Sequence, residues 1–222
     1  MKRFKGFTLT ELMVALAVIG IIVAIVTPTI MRTRPNKNKM MIKKAYYTTE
    51  NIVNSLINDT SLYDDMSMYC RSNGPDSDAA NGKYCAYGFD YDEPAEYEGD
   101  TYSGNNKFQK LFASKLNVTK KIEADMSKFE TADGIIWDFT ANGSTDGISN
   151  GWSQGTKPTD NIRILSIDVN GEQGPNCYEA DCEVSDDFDQ FRIDIQSNGK
   201  MKVNDADTKA MEFVTINASV TH

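Results

Sequence analysis

Glu11 stands one residue ahead of Leu12 to Val26, a stretch that carries no charge. A carboxylate at the edge of a membrane-length helix is costly unless a partner meets it, so an acid placed there marks function. A second concentration of chemistry lies far downstream. Asp168-Val169-Asn170-Gly171-Glu172-Gln173-Gly174-Pro175-Asn176 is dense in oxygen ligands, and Asp187 and Asp189 follow it. Calcium takes about six to eight oxygens from a flexible loop, and Asp-x-Asn-Gly offers ligands together with a turn. One calcium ion on Asp168, Asn170, Asn176, Asp187 and Asp189 is therefore an expectation. The plainer alternative is a solvated turn in which Asn and Asp cap their own backbone. The ligand spacing of an EF-hand is absent.

Catalytic arrangements are poorly supplied. His222 is the single histidine, so a Ser-His or Cys-His relay lacks a base. No Gly-x4-Gly-Lys-Thr phosphate loop occurs. Adjacent acids such as Asp64 with Asp65 or Asp186 with Asp187 are ordinary in a chain with 32 acidic residues. Trp137, Trp152 and the many tyrosines could line a sugar- or protein-binding surface, and core packing explains them equally well. No cofactor beyond calcium is expected, and the chain reads as no enzyme.

The four cysteines form two local pairs, Cys70 with Cys85 and Cys177 with Cys182. Neither spacing suits zinc. Short loops favour local closure over crossed pairing, and an exported chain would hold them as disulfides.

These groups need elements to position them. Phe7 to Met31, as a helix, would run roughly 37 Å, more than the roughly 30 Å of bilayer hydrocarbon. Lys2, Arg3 and Lys5 precede it and should hold that end on the cytoplasmic side. An ordinary secretory signal would end in a small-residue cleavage site, and no Ala-x-Ala follows. A simple anchor has no use for Glu11.

Gly6-Phe7-Thr8-Leu9 with Glu11 resembles the class III signal of type IV prepilins and type II secretion pseudopilins, and Gly20 and Pro28 extend the likeness. The resemblance implies cleavage between Gly6 and Phe7 by a prepilin peptidase and N-methylation of Phe7. It also implies neutralisation of one subunit's terminal amine by Glu11 of a neighbour. The implied organisation is a leader over 1–6, a transmembrane and polymerisation helix over 7–31, and a head over 32–222. That head would lie in the periplasm of a bacterial inner-membrane protein before the subunit enters a filament. The implied partners are other pilin-like subunits, the peptidase and an inner-membrane assembly platform. The Asp168 to Asn176 stretch likewise resembles the Asp-x-Asn-Gly-x-x-Gly-Pro-Asn loop of many pilin-like proteins, and Asp189-Gln190-Phe191 resembles the Asp-x-Phe after it. The insertion holding Cys177 and Cys182 departs from that pattern. A membrane-tethered periplasmic binding module that never polymerises is the rival reading.

Loss of Lys2, Arg3 and Lys5 would take the formal charge from -9 to -12. So acidic a chain is unsuited to nucleic acid, which requires clustered Lys and Arg. The basic stretch Arg32 to Lys44 fits headgroup contact or acidic neighbours in a filament.

The fold class expected is α+β, a pilin fold with a long N-terminal helix packed on a C-terminal antiparallel sheet. Met40, Met41, Ala45, Ile52, Val53, Leu56 and Ile57 recur at helical steps and predict a helix over 36–58, with Pro28 and Pro35 bending or interrupting the path. The region 62–105 has no periodicity and reads as a long loop tied by Cys70 and Cys85. Phe108, Leu111, Phe112 and Leu116 predict a short helix. Strands are expected over 135–139, 162–169, 191–195 and 201–203, with Asn198-Gly199 as a type I′ hairpin turn. The apolar run 211–220 is expected as a strand, with helix as the alternative.

Overall fold

The computed structural model describes residues 9–32, 37–63, 88–90, 94–140, 152, 162–183 and 187–215, with side chains described there except at 23–32, 90 and 105. It divides into two compact units, Met1–Lys37 and Asn38–His222.

The first unit contains helix α1, Leu9–Arg32. Its Leu, Met and Ala residues favour helix, and its many Val and Ile residues are tolerated there. The helical backbone runs on through Pro28, so that proline does not interrupt it. Pro35 lies outside the described residues. The apolar side chains point outward on every side, from Leu9 at 77% exposure through Leu12, Met13, Leu16 and Ile19 to Ile22. Among the described residues no helix is long and apolar enough to cross a membrane, and the described side chains of α1 stop at Ile22.

All of α2, Lys37–Ile57, but its first residue belongs to the second unit, and the helix matches the one read from sequence. Ile42, Ala45, Thr49, Ile52, Val53 and Leu56 form its buried stripe. Thr49 is tolerated there because its hydroxyl donates to the Ala45 carbonyl at 2.9 Å. Six strands follow in one antiparallel sheet whose spatial order equals their chain order. They are β3 (Val118–Lys121), β4 (Lys128–Thr131), β5 (Ile136–Asp138), β6 (Ile162–Asp168), β7 (Gln190–Gln196) and β8 (Met201–Val203). Phe129, Trp137, Ile167 and Phe191 lie in one register row on the buried face. Helix α3, Lys107–Ser114, adds Phe108, Leu111 and Phe112 to the same core; Leu116 falls in the turn beyond it.

Three expectations require correction. The region 62–105 is not a loop throughout: β1 (Ala95–Tyr97) and β2 (Asp100–Tyr102) pair across Glu98-Gly99, whose φ values of 52° and 90° suit a type I′ turn. Strands of three residues are too short to show alternation. The Asn198-Gly199 hairpin is present, but its loop has three residues. Gln196 N donates to Lys200 O at 2.8 Å, Gly199 N donates to Gln196 O at 2.9 Å, and of the loop only Gly199 has positive φ. Asn198 instead uses its side-chain oxygen to accept from Lys200 N at 3.0 Å. Finally, residues 211–215 of the expected strand are helical, as part of α4, Thr208–Thr215, and 216–220 lie outside the described residues. Glu179 fixes the start of this helix by accepting from Lys209 N at 2.8 Å and Thr208 Oγ1 at 2.9 Å. Ala210 and Val214, four apart, bury its inner face.

Candidate functional site

Glu11 falls in the first turn of α1, where a negative side chain complements the helix dipole. Leu12, Met13, Val14 and Leu16 beside it are exposed. Gly6 and Phe7 lie outside the described residues.

The Asp168 to Asn176 stretch is a built loop at the end of β6. Asp168 Oδ1 accepts from Asn170 N at 3.2 Å and Gly171 N at 2.9 Å, and its Oδ2 accepts from Gln190 Nε2 at 3.0 Å. The Asn176 amide, with its nitrogen turned into the loop, donates to Gly171 O at 2.7 Å and Asp168 Oδ2 at 3.2 Å. Gly171 has a φ of 65°, and a Cβ there would stand 2.8 Å from Gly134 O, so the loop approaches the β4–β5 turn as closely as a backbone can. Asp189 is fully buried and accepts from Asn176 N and Cys177 N, both at 2.9 Å. Two carboxylates thus tie both ends of the loop to β7.

Of the expected calcium ligands, the structure brings Asp168, Asn170, Asn176 and Asp189 into one loop. Asp187 is exposed on the stretch leading to β7. Asn170 Nδ2 donates to Gly174 O at 3.3 Å, while its Oδ1 is buried with no hydrogen-bond partner. Burial pushes the Asp168 carboxyl above its ordinary value, helped by the charge of Asp189 and opposed by the bonds from Gln190, Asn170 and Gly171. Among the described residues no group of three or more His, Cys, Asp or Glu stands ready to hold a metal ion.

Cys177 and Cys182 form a disulfide with Cα atoms 5.4 Å apart, the spacing usual for such bridges. Cys70 and Cys85 lie outside the described residues. Trp137 and Trp152 are core: their Nε1 groups donate to Thr131 Oγ1 and Ile195 O, both at 3.1 Å.

Sequence reading missed two polar features. Lys128, Asp138, Ser166 and Arg192 form one cross-strand row on the face of the sheet opposite the core. Lys128 Nζ lies 2.7 Å from Asp138 Oδ2. Period-two alternation in β6 and β7 carries that signal, but the row itself appears only once the register is known. The other is Arg163, 5% exposed on the core face of β6, with its guanidinium over Phe139 (4.9 Å), Trp152 (5.6 Å) and Phe108 (5.9 Å) and Nη2 donating to Gln109 Oε1. Burial lowers its pKa to about 10. No sequence pattern announces a cation at a core position.

Residues 1–27 match the family model of the prokaryotic N-terminal methylation motif, the class III signal of type IV pilins and pseudopilins. No curated protein and no solved structure matches the chain.

Proposed function

We propose that this chain is a non-catalytic, structural subunit of a type IV pilus or a type II secretion pseudopilus. The observation that carries the reading is the methylation motif over residues 1–27, within which begins a helix whose described apolar side chains, as far as Ile22, are exposed and whose first turn holds an acid. In this reading prepilin peptidase cuts between Gly6 and Phe7, Phe7 becomes the N-methylated terminus, and the helix over 7–31 holds the precursor in a bacterial inner membrane. The head then faces the periplasm, and the assembly platform passes the subunit into a polymer. The α2 helix packed against an antiparallel sheet supports a pilin fold for that head.

Glu11 would serve assembly. An ionised carboxylate in hydrocarbon costs on the order of 3 kcal/mol on insertion scales. A neighbour's Phe7 amine offsets that cost in a filament, which makes the pair a register device. The rival, a tethered binding module, gives Glu11 no such task. Expression beside an active prepilin peptidase, followed by intact-mass analysis and shearing, tests the reading: a mature protein beginning at methylated Phe7 and recovered in sheared filaments supports it. A retained leader, or a processed protein found only in membranes, supports the rival.

A calcium ion on Asp168, Asn170, Asn176, Asp187 and Asp189 is proposed for the same head. The partnerless, buried Asn170 Oδ1, on a residue whose backbone N donates to Asp168, favours it; the amides already on Asp168 and Asp189 weigh against it. A bound ion would raise the melting temperature above that measured with chelator, whereas equal melting temperatures leave a self-capped turn.

A further inference from the structure

On the outer face of the sheet, a cavity of about 180 Å³ is floored by Ile136 and the outward residues of β4 to β7 and closed on one side by Tyr178. Drug-sized ligands need roughly 300 Å³ or more, so this cavity has room only for a small group. Apart from Ile136, every lining side chain is polar. Asp138 and Asp168 are diagonal neighbours across β5 and β6, since Asp138 faces Ser166 and Ile136 faces Asp168.

The charges there are unevenly matched. Asp138 has its cation in Lys128, 2.7 Å away. Arg192, whose guanidinium lies 4.5 Å from the centre of the Tyr178 ring, is held by Asp207. Asp168 is half-buried, and its partners, Gln190, Asn170, Gly171 and Asn176, are all neutral amides. Asp189, also bonded to neutral amides, adds negative potential from the far side. A half-buried carboxylate without a cation carries part of the cost of a buried charge, and an incoming positive group relieves it. Ser166 Oγ and Tyr178 Oη are hydrogen-bonded to each other at the cavity wall. One proton lies between them, so lone pairs remain on both oxygens to accept further hydrogen bonds.

We propose that this cavity binds a primary ammonium group, from a small free amine or the end of another protein's lysine side chain, with Asp168 as counter-charge and the Ser166 and Tyr178 hydroxyls as acceptors. An ammonium gives N–H donors to the two hydroxyl oxygens and a positive charge to Asp168, whose own oxygens are already engaged by amides, and a neutral alcohol of the same size brings no charge. Tyr178 is well placed to form the roof: it follows directly on the Cys177–Cys182 bridge, its backbone forms a single parallel bridge with Gln190, and its ring carries Arg192. The site belongs to the single subunit and stands whether or not the chain polymerises.

The test uses the full chain in detergent, with chelator present so that loop calcium plays no part, titrated with 1,5-diaminopentane, Nα-acetyl-lysine amide and the neutral isostere 1,5-pentanediol. Saturable shifts of the Ser166, Tyr178 and Gln190 amide resonances are expected with the amines and not with the diol. Response to the diamine alone assigns the site to free amines; response to both extends it to lysine ends. Asp168→Asn keeps an oxygen for the Asn170 and Gly171 amides and should weaken binding at least tenfold. Tyr178→Phe keeps the ring and should weaken it several-fold at an unchanged melting temperature. Equal response to the diol, no response to either amine, or undiminished binding in both folded variants overturns the proposal.

Discussion

Arg192 and Asp207 meet in a two-pronged pair: Nε donates to Oδ2 at 3.0 Å, Nη2 donates to Oδ1 at 2.8 Å, and the Arg192 backbone N donates to Oδ2 at 2.8 Å. Asp207 is almost wholly buried, directly ahead of α4, and Arg192 is central in β7. One carboxylate therefore fastens α4 to β7, the strand beside the β8 edge of the sheet. Removing one partner of a buried pair strands the other, so Asp207→Ala should cost about 3 kcal/mol, the low end for such pairs because Arg192 keeps some solvent contact. Urea unfolding reads this directly, and a loss under about 0.5 kcal/mol would mean that the pair is ornamental.

At the other end of the chain, Glu11→Ala should insert, be processed and yet enter filaments poorly, since it removes the carboxylate proposed to meet a neighbour's amine. Sheared fractions probed for the subunit give the answer; wild-type filament yield from the alanine variant refutes the pairing. Gly6→Leu should stop one step earlier, leaving the uncut precursor in the membrane.

The Cys177–Cys182 bridge closes a loop of only a few residues, which limits the chain entropy it removes. Replacing both with serine should cost about 2 kcal/mol on the loop-closure model. Non-reducing peptide mapping of the wild type should recover the 177–182 link, and the same map reports whether Cys70 and Cys85 are joined as expected.

Acid should act through Asp138 in a defined direction. Burial alone would raise its pKa, but Lys128 and Thr140 outweigh that and hold it below the ordinary value. A depressed native pKa gives stability that is present above the unfolded value, near about 3.9, and lost as pH falls through the native value. Asp138→Asn should thus destabilise the head at pH 7, and its gap from wild type should close below about pH 4. Asp194 runs the other way. Burial raises it, so its contribution is present at low pH and lost as pH rises through the native value. Asp194→Asn should therefore be better tolerated than Asp138→Asn at neutral pH, which parallel melts would show.

What the sequence disclosed follows from how far each signal reaches. The α2 stripe and the strands β6 and β7 are long enough for their periodicity to declare itself, and they stand where expected. Val118–Lys121 and Lys128–Thr131 are short and half charged, because β3 is an edge and β4 shows one face to water, so they passed unread. Helix α4 was mistaken because its decisive contact, Glu179 at its first turn, is remote in sequence. The loop at Asp168 was visible as a ligand-rich turn. Its bonding to Gln190 and Asp189, and the cavity beside it, depend on a strand register that no local pattern contains.

The antiparallel order of β3 to β8 lets each strand find its neighbour along the chain, so the sheet can grow hairpin by hairpin. Helix α2 has no such local recourse. Asn38 Nδ2 reaches Phe188 O, 150 residues away, and Tyr47 Oη reaches Val214 O, 167 residues away. Its apolar stripe therefore depends on partners that lie far along the chain. A chain cut short before β7 would lack Phe191, Ile193 and Ile195 from the core that this stripe joins.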